Sequence, residues 1–333
     1  GMARSRAAQL RGAEALALAE RALGAVEERV GPAHPQCGAI RVLIADLLTS
    51  QQRLAEAERI YRDEIRARQE RLPSGTPALE FLKLALAEML ASQGRSVEAG
   101  AVASGAIAAL EATLAPDDPR RVPLLSSASA IAIAGGDFAE GERLAAEAIA
   151  AHEAASLPAD AVRAALLRSL AVAALINDRL PMASKALAAA RAIRTGDDAV
   201  GVAAVDARIG AAIAVMTGQP GEAEAELARY WALAATADPP DYIDQAAAHV
   251  ITGRLWLAQQ RTEAAIQSFE AALGAATAVN ARLDRPVVAA ILLGLAEAYE
   301  AAGDPVGAAQ ARDRAADILE RIGWARQPPA VWL

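Results

Sequence analysis

Arg168, Arg208 and Arg254 are the residues here whose type and spacing could do recognition chemistry. A guanidinium fork donates in a plane to carboxylate or phosphate oxygens. Three such forks along one surface would suit an acidic or phosphorylated peptide. Residues fit for covalent or metal chemistry are fewer. Cys37 is the only cysteine, which excludes an internal disulfide and a cysteine metal site. His34 stands three residues before it, in GPAHP (31–35). The two could bind a metal or pair as nucleophile and base. The plainer reading is a turn histidine and a cysteine packed in a helix. His152 and His249 are far apart, and His152-Glu153 lacks the second histidine of a zinc-protease motif. There is no Gly-Lys-Ser/Thr phosphate loop and no Gly-x-Ser-x-Gly elbow. Asp117-Asp118 and Asp197-Asp198 sit where helices should begin, so capping explains them better than acid–base catalysis. The expectation is therefore no enzyme, with no catalytic residue, no metal and no cofactor.

The elements that must position the arginines are set by a repeat. Gln52, Gly94, Gly136, Asp178, Gly218, Gln260 and Gly303 read as one recurring turn, with steps of 42, 42, 42, 40, 42 and 43 residues. Five residues after each mark comes a small residue: Ala57, Ala99, Gly141, Ala183, Ala223, Ala265, Ala308. Seven before each comes another: Ala45, Ala87, Ser129, Ala171, Ala211, Gly253, Ala296. A period of this size signals a solenoid of helix pairs. Two helices approach closely where both carry small side chains at the crossing.

Between the marks the periodicity is helical. Val42, Leu43, Ile44, Leu47 and Leu48 share one broad face, and Leu54, Ala57, Ile60, Tyr61 and Ile65 form a stripe at helical spacing. Pro181, Pro220 and Pro305 fall just after turns, where proline suits a first helical turn. Asp304 can cap the helix that Pro305 opens, and Gly196 can end one. Further breaks fall at 31–35, 73–77, 115–119 and 238–240. No alternating run bounded by turns reads as a strand.

Several of these segments resemble tetratricopeptide repeats, in the longer 42-residue form of kinesin light chains and many bacterial repeat proteins. They are GPAHP at 31–35 with QQRLAEAERIYRDEI at 51–65, GGDFAEGERLAAEAI at 135–149, QQRTEAAIQSFEAAL at 259–273 and LGLAEAYEAAGDPVGAAQARDRA at 293–315. The resemblance spans roughly residues 10–322. It implies an all-α, right-handed α-α superhelix of about seven full helix pairs plus an N-terminal half-repeat. The asparagine ladder of kinesin light chains is missing, with Asn only at Asn177 and Asn280. The Lys/Asn/Arg set by which some such domains hold a C-terminal carboxylate is missing too. No ligand is transferred from either group, because such repeats serve many unrelated systems.

Composition fits that fold. Apolar residues are 54% but aromatics only 3%, and alanine, a strong helix former, supplies the difference. No linker or composition shift divides the 333 residues, so the expectation is one solenoid domain at 3–322 and a tail at 323–333. No apolar run is long enough for a membrane span. A net charge of −8 without a basic block argues against general nucleic-acid binding. Gly1 before Met2 reads as an expression scar, and no signal-peptide core follows; the chain reads as cytoplasmic. Ala15 falls in the frame as the small residue of a second helix, so either the chain opens on a half-repeat or upstream sequence is absent. The tail carries Trp324 and Trp332. It reads as a cap on the last repeat or as a docking segment for another copy or a partner.

In a helix-pair solenoid the first helix of each pair lines the concave face. Counting from the turn marks places Arg168, Arg208 and Arg254 there on three successive repeats, about 10 Å apart. Val172, Leu175, Ile176, Val215, Met216 and Leu257 would supply an apolar floor beside them. This predicts a protein or peptide partner, bound extended or as a helix. The alternative is that these are ordinary arginines, some paired with Glu on adjacent helices. At the level of function, a binding scaffold competes with a self-assembling structural solenoid, joined end to end as a homo-oligomer. It competes also with a sensor or docking module of a larger regulatory protein.

Overall fold

The computed structural model describes residues 2–51, 53–73, 75–93, 95–193, 199–237, 241–278 and 286–322. Among the described residues there are helices and no strands. They are α1 (Met2–Val30), α2 (Pro35–Ser50), α3 (Leu54–Gln69), α4 (Pro77–Ser92), α5 (Ser96–Thr113), α6 (Arg121–Ala134), α7 (Phe138–Ala154) and α8 (Ala161–Ile176). There follow α9 (Leu180–Ala192), α10 (Ala199–Met216), α11 (Pro220–Ala234), α12 (Tyr242–Ala258), α13 (Thr262–Ala278), α14 (Pro286–Ala301) and α15 (Pro305–Arg321). Helix α1 precedes seven helix pairs, α2/α3 through α14/α15, which is the all-α helical-repeat arrangement the 42-residue frame implies. The helices pack as two compact units, Gly1–Ala115 and Pro116–Leu333. No helix of the described residues is long and apolar enough to cross a membrane.

The turn within each pair explains the recurring mark. Wherever the mark is described it takes the left-handed conformation: Gly136 (φ 80°), Asp178 (57°), Gly218 (68°), Gln260 (60°) and Gly303 (79°). The next N–H then reaches back five residues to a carbonyl of the ending helix. Arg53 bonds Leu48 at 2.9 Å and Arg95 bonds Leu90 at 3.0 Å. Asp137, Arg179, Gln219, Arg261 and Asp304 do the same at 2.8 Å. This satisfies carbonyls that a helix end leaves without partners. The marks Gln52 and Gly94 themselves lie outside the described residues.

Helix starts follow the expected chemistry. Pro181, Pro220 and Pro305 stand in the first turns of α9, α11 and α15. The Asp304 carboxylate accepts from the Gly307 N–H at 2.9 Å. Asp160 and Asp241 cap α8 and α12 in the same way. Gly196, Asp197, Asp198 and Asn280 fall outside the described residues, as do the break at 238–240 and the whole tail 323–333 with Trp324 and Trp332.

The fourteen small residues flanking the turns are all buried. They sit where the two helices of a pair cross, and they set how closely the backbones approach. At one crossing the Ser129 hydroxyl donates to the Gly141 carbonyl at 2.7 Å. At another, Phe269 of α13 is fully buried between α12 and α14. A Cβ on Gly253 would stand 2.8 Å from its ring, and one on Gly294 2.5 Å. Within the second unit, α8, α10, α12 and α14 neighbour one another in succession. That succession of first helices carries the candidate site.

Candidate functional site

Each of the three arginines pairs with a carboxylate on the next first helix. Arg168 on α8 donates from Nε and Nη2 to both oxygens of Asp206 on α10, at 2.7 and 3.1 Å. Arg208, two residues further along α10, donates from Nε to Asp244 on α12 at 2.5 Å. Arg254 on α12 bonds Glu297 on α14 and lies over the Phe269 ring, 5.7 Å from its centre. The partners stand 38, 36 and 43 residues on, about one repeat. The result is a ladder of charge-assisted bonds that ties successive first helices together.

The ladder is largely withdrawn from water. Arg208 is 8% exposed and Asp206 5%. Burying such pairs carries a desolvation penalty, so the remaining polar atoms matter. Arg208 Nη1 is buried without a hydrogen-bond partner. Tyr230 on α11 is fully buried, and its hydroxyl makes no hydrogen bond of acceptable geometry. Burial holds that hydroxyl well above the usual tyrosine range, with the Asp244 charge adding to the effect. Arg191 on α9 reaches in from the second helices. It donates to the Asp206 backbone carbonyl at 2.6 Å and pairs with Glu226 of α11 at 2.8 Å.

A cleft of about 440 Å³ opens across α6, α8 and α10. Helix α6 contributes Ser126, Ser129, Ala130 and Ile133; α8 contributes Leu166, Arg168, Ser169 and Val172; α10 contributes Val205, Arg208 and Ile209. Its charged lining is arginine alone. Arg168 and Arg208 both line it, and neither Asp206 nor Asp244 does. The volume lies inside the roughly 300–1,000 Å³ typical of ligand sites.

The structure thus brings Arg168, Val172 and Arg208 of the expected residues into one cleft. Leu175 is fully buried in the core of the second unit and presents no surface. Val215 and Met216 are partly buried against that same core, and Leu257 packs on the neighbouring cluster. Ile176 is half-buried at the end of α8. Arg254 lies on α12, outside the cleft's lining. Ser169, Val205 and Ile209 also line the cleft, and counting from the turn marks does not single them out. The available signal was the repeat itself, because Ser169 and Ile209 each follow a matched arginine.

The remaining polar candidates have structural partners. His34 Nδ1 accepts from the Gln36 N–H at 3.3 Å and so caps α2, while Cys37 is fully buried with its thiol 3.4 Å from the Gly31 carbonyl. The Asp118 carboxylate accepts from the backbone N–H and the guanidinium of Arg120, just before α6. Those bonds hold its pKa down at about 2. His152 is buried at the end of α7, 4.0 Å from Asp160, with neither ring nitrogen hydrogen-bonded. The His249 ring packs tilted against Trp231, centres 4.6 Å apart, and burial lowers its pKa. Among the described residues no group of three His, Cys, Asp or Glu is placed to hold a metal.

No protein-family model matches the chain, and no curated protein matches it either. Its fold is shared with solved structures. A Rap protein complexed with Competence and Sporulation Factor is similar at a TM-score of 0.63 and 13% identity, over 86% of this chain and 77% of that one. NprR in complex with its cognate peptide NprX is similar at 0.60 and 12%, over 83% and 76%. The apo form of the quorum sensor NprR from B. thuringiensis is similar at 0.53 and 13%, over 89% and 78%.

Proposed function

We propose that this TPR-like helical-repeat protein is a non-catalytic scaffold that binds a peptide or protein segment across the first helices of its second unit. The observation that carries the reading is the cleft over α6, α8 and α10, with two arginines at matched repeat positions and an apolar wall between them. An acidic or phosphorylated peptide is the ligand that this chemistry favours. It meets guanidinium groups already oriented by Asp206, Asp244 and Glu297. Pre-oriented donors lose less entropy on binding than free ones. Val172 supplies apolar surface beside the two arginines in that cleft. The likeness to NprR, solved with a cognate peptide, supports the reading at the level of fold.

The test is capture from a lysate of the source organism, read by mass spectrometry. Native protein is compared with Ser169→Trp, which fills the cleft from an exposed position. A second comparison is Arg168→Met with Asp206→Leu, which removes a guanidinium without leaving a buried charge unpaired. A partner held by the native chain and lost by Ser169→Trp is expected. A partner kept by every variant, or a chain that captures only itself, overturns the reading; the second result points to assembly.

A further inference from the structure

We infer that the cleft over α6, α8 and α10 is a subsite for an aliphatic carboxylate. The inference rests on the binding role proposed above and names the chemistry that the subsite selects. Ile133, Val172 and Val205 line it with branched aliphatic side chains. Such walls, partly exposed in the free protein, take an aliphatic body by the hydrophobic effect. They offer no aromatic ring on which a planar ligand could stack.

The charges of the cleft select independently of its walls. A guanidinium offers five N–H donors. Arg168 uses two positions on Asp206, and Arg208 uses only Nε on Asp244. Arg208 is more than nine-tenths buried, and its Nη1 has no hydrogen-bond partner. A buried donor left without a partner is costly, more so when the group is charged. The cleft is lined by the arginines of two ion pairs and by no carboxylate. An entering anion is attracted and a cation repelled. The serine hydroxyls of Ser126 and Ser169 stand at the same walls and can donate to a second oxygen.

Two sources could deliver this chemistry, a small free acid or the end of a peptide whose last residue is aliphatic. Titration calorimetry on the full chain separates them. One arm uses octanoate, with octanamide as its neutral twin. The other uses a short peptide ending in leucine with a free carboxylate, against its C-terminal amide. Saturable binding in either arm is expected, with the neutral twin about tenfold weaker, as one lost charge-assisted bond implies. Ser169→Trp should abolish it while leaving the thermal midpoint near native. Binding of octanoate names a free acid, and binding of the peptide alone names a chain terminus. The inference is overturned if neither acid binds, if each amide binds as well as its acid, or if Ser169→Trp binds like native. Failure here with partner capture intact would spare the scaffold reading and remove only the carboxylate subsite.

Discussion

Arg208 holds Asp244 through a single N–H, and its outer nitrogen Nη1 is left without a bond inside the protein. That geometry fixes what its removal should do. Arg208→Ala leaves the Asp244 carboxylate without its cation in a dry setting, and should cost about 3–5 kcal/mol of stability in urea unfolding. Arg208→Met combined with Asp244→Leu should recover most of that loss, since a buried pair is often replaceable by apolar residues. Equal losses in the single and double variants would show that the pair does not act as a unit. Asp118 makes a second prediction. Its pKa is lowered to about 2 by Arg120, so its contribution is complete above the unfolded value near 3.8. It is lost as pH falls from there toward 2. Carboxyl NMR should place its midpoint near 2, and Arg120→Ala should return the midpoint to the ordinary range. The sequence made the arginines visible by type and spacing. It did not reveal their partners, because Asp206, Asp244 and Glu297 lie about a repeat away and share no common offset from the turn marks. The expectation of Glu partners on adjacent helices is met only at Glu297. The other two carboxylates are aspartates on first helices.

At the scale of the element, the turn is the part of the fold most legible in sequence. A left-handed residue at the end of a helix is normally glycine, because a Cβ there collides with its own backbone. Five described marks obey that geometry, yet only three of them are glycine. Gln260 adopts φ 60° with a full side chain, a conformation that costs roughly 1–2 kcal/mol. Gln260→Gly should therefore raise stability, by roughly 0.5–1 kcal/mol once the greater freedom of glycine in the unfolded chain is subtracted. Gly303→Ala, at φ 79°, should lower it by a similar amount. Matched shifts of opposite sign in thermal melts would establish the mark as a backbone device; no change in either would refute it. The flanking small residues were equally legible, since close crossing excludes bulk whatever the partner. The cleft was not. It forms where three first helices meet side by side, and the residue that closes it on one helix cannot be counted from the sequence of another. Leu175 shows the limit. Its place in the frame put it beside the arginines, while packing turned it wholly into the core.

The whole molecule adds a statement about range. In a helical repeat each pair buries its apolar face only on its neighbours, so stability is close to a sum of local terms and nearest-neighbour interfaces. The arginine ladder belongs to those interfaces. It crosses α8 to α10, α10 to α12 and α12 to α14, and it runs within the second compact unit, Pro116–Leu333. Cutting one rung should loosen the helices on either side and fade beyond them, as sub-global opening does in other proteins. Hydrogen exchange on the full chain carrying Arg208→Ala tests this. Amides of α10 and α12 should lose protection most, those of α8 and α13 less, and those of α2 to α5 in the first unit not measurably. A uniform loss across all helices would mean that the chain opens as one cooperative body. The nearest-neighbour account would then fail, and with it the expectation that a ligand bound over α6, α8 and α10 acts locally. A graded loss would make the ladder the means by which that ligand stiffens the neighbouring repeats. A carboxylate seated on Arg168 and Arg208 touches the α8–α10 and α10–α12 rungs, and its binding to the native chain should raise protection in α8, α10 and α12.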